Sequence, residues 1–258
     1  MSLVATPFPE NGRVHVRRWW RHAGGLSVTG LGGLVQLGYY WFDRLALSLA
    51  ARGIEFWMMD EPFNHFRTPK GFRPGELIAG GSPEQLIAAV RQAVIDTRLL
   101  IAYLRSRGQR VGLVGQSYGG WLCLLIAILE PDLEFAVPLI PMCDLPAWYQ
   151  AGLPLSRGAR RRFPRLEREQ LAELLRPINP VAWKPQLNGD RIDLHAARFD
   201  RIVPYKSIEQ LARSWGTRFT HHHAGHYSVF FGDRLREHVV SFVTECPSRL
   251  KEVVSRTS

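Results

Sequence analysis

The chain has 258 residues, 46% of them hydrophobic, enough to bury a sizeable core in one large domain or two small ones. Its formal charge of +10, carried largely by arginine, favours anionic substrates, nucleic acid or membrane surfaces as partners and is silent on the fold. The three cysteines, Cys123, Cys143 and Cys246, show no Cys-x-x-Cys spacing, which speaks against a disulfide framework or a zinc ribbon.

The first residues, MSLVATPFPENGR, lack a basic segment followed by an apolar one, so no signal peptide is expected. No apolar run reaches the ~18 residues of a membrane span. A soluble cytoplasmic protein is the expectation. GGLVQLGYY (32–40) reads as a strand and FDRLALSLAARG (42–53) as a helix with a glycine stop. IEFWMMD (54–60) is a second apolar strand. Residues 82–108 open on Ser-Pro-Glu, keep helical spacing for several turns and close on Arg-Gly, so they predict a long helix. Further strands are predicted at 111–115, 133–141, 192–200 and 217–222, with a helix over 118–129. Continuous apolar strands alternating with helices imply an α/β protein whose mostly parallel sheet is covered on both faces. The stretch 142–190 breaks the rhythm with prolines, aromatics, an arginine cluster and one helix-like piece (166–176). It reads as a small cap inserted into a single domain of 1–258.

Gly115-Gln116-Ser117-Tyr118-Gly119 fits Gly-x-Ser-x-Gly at a strand-to-helix junction. A nucleophile there turns sharply in a strained conformation, and small neighbours avoid clashes. The bland alternative is a glycine-rich turn with serine as N-cap. Serine needs a base and an orienting acid. Asp200, in Phe199-Asp200-Arg201-Ile202-Val203-Pro204, follows one predicted strand; His226, in Ala224-Gly225-His226-Tyr227, follows the next. Asp144 is a rival acid but more simply caps a helix, and His222 is the nearest rival base. Taken together, GQSYGG, FDRIVP and AGHY resemble the α/β-hydrolase superfamily, of the serine esterase, lipase and peptidase type, over about residues 32–245. Within it, Pro62-x-x-His65-x-Arg67-x-Pro69 is similar to a segment of the abhydrolase-domain-18-like branch.

The resemblance implies an α/β-hydrolase fold, Ser117 as nucleophile, His226 as base and Asp200 as orienting acid. It also implies an oxyanion hole from the backbone N–H of Tyr118 and, by matching Leu37-Gly38-Tyr39 to the family's His-Gly, of Tyr39, with Leu37 in place of the histidine. The implied reaction is hydrolysis of a small-molecule carboxylic ester without metal or organic cofactor. An amide or peptide hydrolase is the enzymatic alternative, since Ser-Tyr-Gly-Gly also resembles the prolyl-oligopeptidase elbow. A non-catalytic binding protein of the same fold is the other. A Ser117 Oγ to His226 Nε2 distance of about 3–4 Å distinguishes the enzyme from the binding module.

Other residues compete for roles. Tyr40, Trp41 and Trp148, with Tyr149 and Trp183, are candidates for an apolar acyl pocket, although aromatic core packing is commoner. His65 and Arg67 follow a strand end and could meet substrate or hold the loop through an Arg–carboxylate pair. His221 and His223 share a strand face, yet no acidic or cysteine ligand nearby in sequence completes a metal set, so no metal is expected. Cys143 reads as buried packing. Arg157, Arg160, Arg161 and Arg162 read as a solvated face, with no nucleic-acid motif beside them; peripheral contact with an acidic membrane surface stays open. Oligomeric state is not legible.

Overall fold

A computed structural model describes residues 1–22, 24–34, 39–151 and 167–257. Seven strands form one sheet: β1 (Val16–Trp19), β2 (Leu26–Leu31), β3 (Glu55–Met59), β4 (Arg110–Gln116), β5 (Ala136–Leu139), β6 (Asp193–Ala197) and β7 (Arg218–His222). Their order is β1-β3-β2-β4-β5-β6-β7, with β1 antiparallel to β3 and every other pair parallel. Helices α1 (Tyr40–Ala50) and α8 (Arg234–Thr257) pack on one face of the sheet. On the other face lie α3 (Pro83–Ser106), α4 (Tyr118–Leu129) and α7 (Tyr205–Trp215). The expected α/β architecture, mostly parallel with both faces covered, is the one observed. No helix among the described residues is long and apolar enough to cross a membrane.

The buried strands carry the apolar runs that two covered faces require. Every residue of β2 is buried, as are Val111 to Gly115 of β4. The strand expected at 32–40 is not seen among its described residues: β2 ends at Leu31 and α1 starts at Tyr40, while residues 35–38 lie outside the description. The reason is local. Ser27, Thr29 and Gly30 dilute the apolar signal of β2, yet all lie in the core. Gly30 is required there, because a Cβ would stand 2.5 Å from the Phe56 ring. The long helix begins where Ser-Pro-Glu predicts. Ser82 Oγ accepts from Gln85 N, and Gln85 Oε1 accepts from Ser82 N at 2.9 Å, a reciprocal cap for two otherwise unpaired donors.

The chain passes from α1 on one face to α3 on the other, and its strand order reverses between β2 and β4. The crevice at the C-terminal ends of these strands is where open α/β sheets hold ligands. Between β5 and β6 the described residues form α5 (Leu145–Gln150), a helix α6 (Arg168–Leu175) and short 3-10 turns at Arg176–Ile178, Pro180–Ala182 and Gly189–Arg191. A short α2 (Glu76–Gly80) precedes α3. The 145–187 stretch is tied to the body: Trp121 Nε1 donates to Ile178 O, Leu145 N to Asn179 Oδ1, and Trp148 Nε1 to Ile202 O. The arginines expected on its surface, Arg157 and Arg160–Arg162, lie outside the described residues, as do Leu37 and Gly38.

Candidate active site

Ser117 is the first residue past β4 and the N-cap of α4, with φ 53° and ψ −106°. A non-glycine residue at positive φ stores strain of about 1–3 kcal/mol unless its surroundings hold it. Here they do. Ser117 N donates to Leu139 O at 2.8 Å, Gly119 N to Gly32 O at 2.7 Å and Trp121 N to Ser117 O at 2.9 Å. The flanking glycines are steric necessities. A Cβ on Gly115 would meet Gly119 O at 2.1 Å, and one on Gly119 would meet Leu31 O at 2.1 Å. The five-residue pattern is therefore a tight elbow rather than an ordinary capped turn, and Ser117 makes no side-chain cap.

His226 Nε2 lies 3.0 Å from Ser117 Oγ, and His226 Nδ1 lies 2.7 Å from Asp200 Oδ2. Asp200 Oδ1 accepts from Ile202 N at 2.7 Å and Val203 N at 2.9 Å. Both Asp200 oxygens are thus used, and the side chain is fully buried. The loop after β7 turns through Gly225, whose N–H donates to Ser228 Oγ, and so returns His226 over the sheet edge. Three residues from three strand ends stand in one hydrogen-bonded line. The Ser117 to His226 distance falls at the short end of the expected range of about 3–4 Å.

Above this line opens a cavity of about 710 Å³. Trp41, Trp121, Trp148, Leu145, Leu171 and Leu175 form much of its wall, and Ser117 and His226 stand in it. Gly33 and Leu34, directly after β2, flank Ser117 in the wall. Arg44 also reaches it, but that guanidinium is paired with Asp233 at 2.6 Å.

The other sequence candidates divide. Tyr40, Trp41, Trp148 and Tyr149 line the cavity; Trp183 does not, and its Nε1 donates to Arg176 O. Tyr39 does not line it either. Its ring is buried, its hydroxyl donates to Asp60, and it stacks on His65 at 4.4 Å. Neither His65 nor Arg67 lines the cavity: His65 is half-buried against Tyr39, and Arg67 is fully buried and paired with Asp96 at 2.7 Å. The loop-holding alternative is the one seen, because a guanidinium with no solvent needs a carboxylate. Asp144 caps α5, accepting from Ala147 N. Burial, with Asp144 beside it, pushes the Cys143 thiol well up, so no thiolate is available.

Two features were not visible in the sequence. Glu61 is completely buried under the elbow, where Gly32 N donates to its Oε1. Burial drives its pKa up to about 8, against the opposing pull of the Gly32 hydrogen bond. The second is a histidine cluster. His222 does not approach Ser117; its Nε2 lies 2.9 Å from His195 Nδ1. His195 Nε2 and His238 Nε2 lie 3.2 and 3.0 Å from Asp193 Oδ2. The Asp193-x-His195 spacing, two residues on one strand face, was the available signal; its partners lie 27 and 45 residues away.

No family model matches the chain. Among solved structures it is similar to the esterase Est1E of Butyrivibrio proteoclasticus, solved with ferulic acid bound, with a TM-score of 0.65 at 11% identity, covering 91% of this chain and 96% of that one. It is also similar to an acetyl xylan esterase of Paenibacillus sp. R4 (TM-score 0.64, 18% identity, 88% and 79% covered). A third is the Pyrococcus furiosus esterase Pf2001 (TM-score 0.62, 14% identity, 91% and 88% covered). At these identities the likeness is one of fold, and the fold is that of the α/β-hydrolases. In sequence the chain is 29% identical over 169 residues to uncharacterized proteins of Mycobacterium tuberculosis, covering 64% of this chain. It spans about 40% of the length of those relatives. These comparisons do not reach the narrower abhydrolase-domain-18 branch.

Proposed function

We propose that the protein is a serine hydrolase that cleaves carboxylic esters with an apolar acyl or aryl group through an acyl-enzyme. The observation that carries this reading is the hydrogen-bonded line Ser117–His226–Asp200 at the floor of an apolar cavity. Ser117 Oγ attacks the ester carbonyl as His226 Nε2 takes its proton; His226 then gives that proton to the leaving alcohol. Asp200, accepting from Nδ1–H, keeps the imidazole in the tautomer whose Nε2 faces Ser117 and stabilises the imidazolium. Water, activated by the same histidine, releases the acid.

The oxyanion of each tetrahedral intermediate needs donors worth about 3 kcal/mol apiece. Tyr118 N–H is one, being the first N–H of α4 and without an intrahelical acceptor. For the second we favour the Gly33–Leu34 backbone over Tyr39, because those two residues share the cavity wall with Ser117. The substrate class follows from the wall. Three indoles and several leucines offer no counter-charge, and Arg44 is already neutralised by Asp233. A cavity of about 710 Å³ suits a drug-sized acyl or aryl group rather than acetate alone. The 142–190 segment acts as a cap, since Leu145, Trp148, Leu171 and Leu175 all come from it.

The test is a fluorophosphonate probe followed by chromogenic esters from acetate to palmitate beside aminoacyl amides. The protein labels once, Ser117→Ala does not label, and medium-chain or aryl esters turn over fastest. Undiminished labelling of Ser117→Ala would end this reading, and faster amide than ester turnover would move it to a peptidase.

A further inference from the structure

Several buried or partly buried carboxylates outside the cavity, such as Glu55, Asp96 and Glu130, are paired with arginines. Asp193 differs: it is buried among imidazoles. Asp193 and His195 point to the same side of β6, the side that α8 covers, and His238 reaches them from α8. One ligand atom from each of the three lies within 4.8 Å of the others, and among the described residues no other set of three does so. His195 is fully buried and Asp193 nearly so, while the His238 side chain is 42% exposed.

We propose that Asp193, His195 and His238 bind one divalent transition-metal ion of the zinc type, which clamps α8 to β6. Two imidazole nitrogens and one carboxylate oxygen are donors for zinc-like ions and poor ones for calcium or magnesium. The geometry is nearly set. Ligand bonds of about 2.0–2.1 Å in a tetrahedron put neighbouring donor atoms about 3.3 Å apart. Asp193 Oδ2 already stands 3.2 Å from His195 Nε2 and 3.0 Å from His238 Nε2. The space between them becomes the ion's once both Nε2 protons are displaced.

A metal-bound histidine has its second ring N–H held by an acceptor, which fixes tautomer and ring plane. His195 Nδ1 has that acceptor in His222 Nε2 at 2.9 Å, and the two rings lie within 11° of parallel. The half-exposed His238 gives the ion its way in and leaves the fourth position to water. Without an ion, the same atoms are satisfied as hydrogen bonds from two Nε2–H groups to one carboxylate. The two states differ in proton positions: His195 and His238 both give up hydrogen on Nε2 and carry it on Nδ1 to ligate, and His222 Nε2 changes from donor to acceptor toward His195 Nδ1. The site is independent of the proposed hydrolase chemistry, although it braces β6 and β7, the strands that lead to Asp200 and His226.

The test uses the whole chain, stripped with chelator and titrated with Zn2+ by calorimetry and with Co2+ by visible absorption. We expect one ion per chain, the intense visible bands of four-coordinate Co2+, and a higher Tm with excess Zn2+. His238→Ala, at a half-exposed position that folding tolerates, should weaken binding by at least about 30-fold. His222→Gln, which alters only the support of His195, should weaken it by about 10-fold or more. The double variant His221→Ala/His223→Ala removes the exposed neighbouring imidazoles and should bind like the parent. Absence of Zn2+ binding overturns the proposal. So does binding undiminished by His238→Ala, or binding lost in the double variant, which would mark an adventitious surface site.

Discussion

Asp200 receives two backbone N–H groups on one oxygen and His226 on the other, so its position does not depend on the histidine alone. Asp200→Asn should therefore keep the fold and the loop. Its amide would offer N–H to Nδ1 and favour the tautomer that carries hydrogen on Nε2, the atom that must accept from Ser117. A fall in kcat of about 10⁴-fold with an unchanged Tm is expected. A fall of tenfold or less would show that Asp200 does not orient the base. Glu61 gives a second residue-scale expectation. Its folded-state pKa of about 8 stands above the ordinary carboxyl value of 4.5. The folded protein then keeps a proton that the unfolded chain releases. The resulting stability is complete below about pH 4.5 and is lost as pH rises toward 8. Glu61→Gln cannot ionise, so urea unfolding from pH 5 to 8 should show the variant gaining steadily on the parent. A constant difference would mean that Glu61 is ionised in the fold.

At the scale of elements, the 3-10 turn His65–Arg67 is fastened to α3 by a pair that has no access to water. Arg67 donates to Asp96 Oδ2, to Asn11 O and to Asp60 O, drawing the N-terminal segment, the end of β3 and α3 together. Breaking one side of a buried pair costs about 3–5 kcal/mol, whereas replacing both with apolar groups can be neutral. Arg67→Met should lose that much in urea unfolding, and Arg67→Met/Asp96→Leu should recover part of it. A single-variant loss below about 1 kcal/mol would mean that water reaches the pair. This contact was half legible. The sequence offered Arg67 an unnamed carboxylate, but Asp96 sits 29 positions away inside a helix whose pattern reads as an ordinary amphipathic one. By contrast the start of α3 and the Gly-x-Ser-x-Gly elbow were fully legible, because caps and tight turns are dictated by residues within a few positions. Leu37 and Gly38, matched in sequence to the family's oxyanion loop, lie outside the described residues, while Gly33 and Leu34, placed by where β2 ends, line the cavity with Ser117.

Across the whole molecule, the ends of β2, β4, β5, β6 and β7 all face one crevice, and the candidate residues fall there because a parallel sheet delivers every strand to the same edge. That topology is why the order Ser117, Asp200, His226 could be read from sequence, while the shape of the wall above it, built by packing between distant segments, could not. The tight elbow has a consequence for stability. At φ 53°, ψ −106°, Ser117 holds a backbone shape that glycine adopts freely and that any side chain resists. Ser117→Gly should therefore melt later than Ser117→Ala, the two sharing loss of the hydroxyl and differing mainly in backbone strain. A gain of about 1 kcal/mol, a few degrees in Tm, is expected, since glycine's looser unfolded chain offsets part of the relief. Equal melting of the two variants would show the elbow to be relaxed. If glycine wins, robustness and the proposed reactivity pull this position in opposite directions: selection for heat resistance alone would favour removing the proposed nucleophile, so folding by itself gives no reason for a serine here.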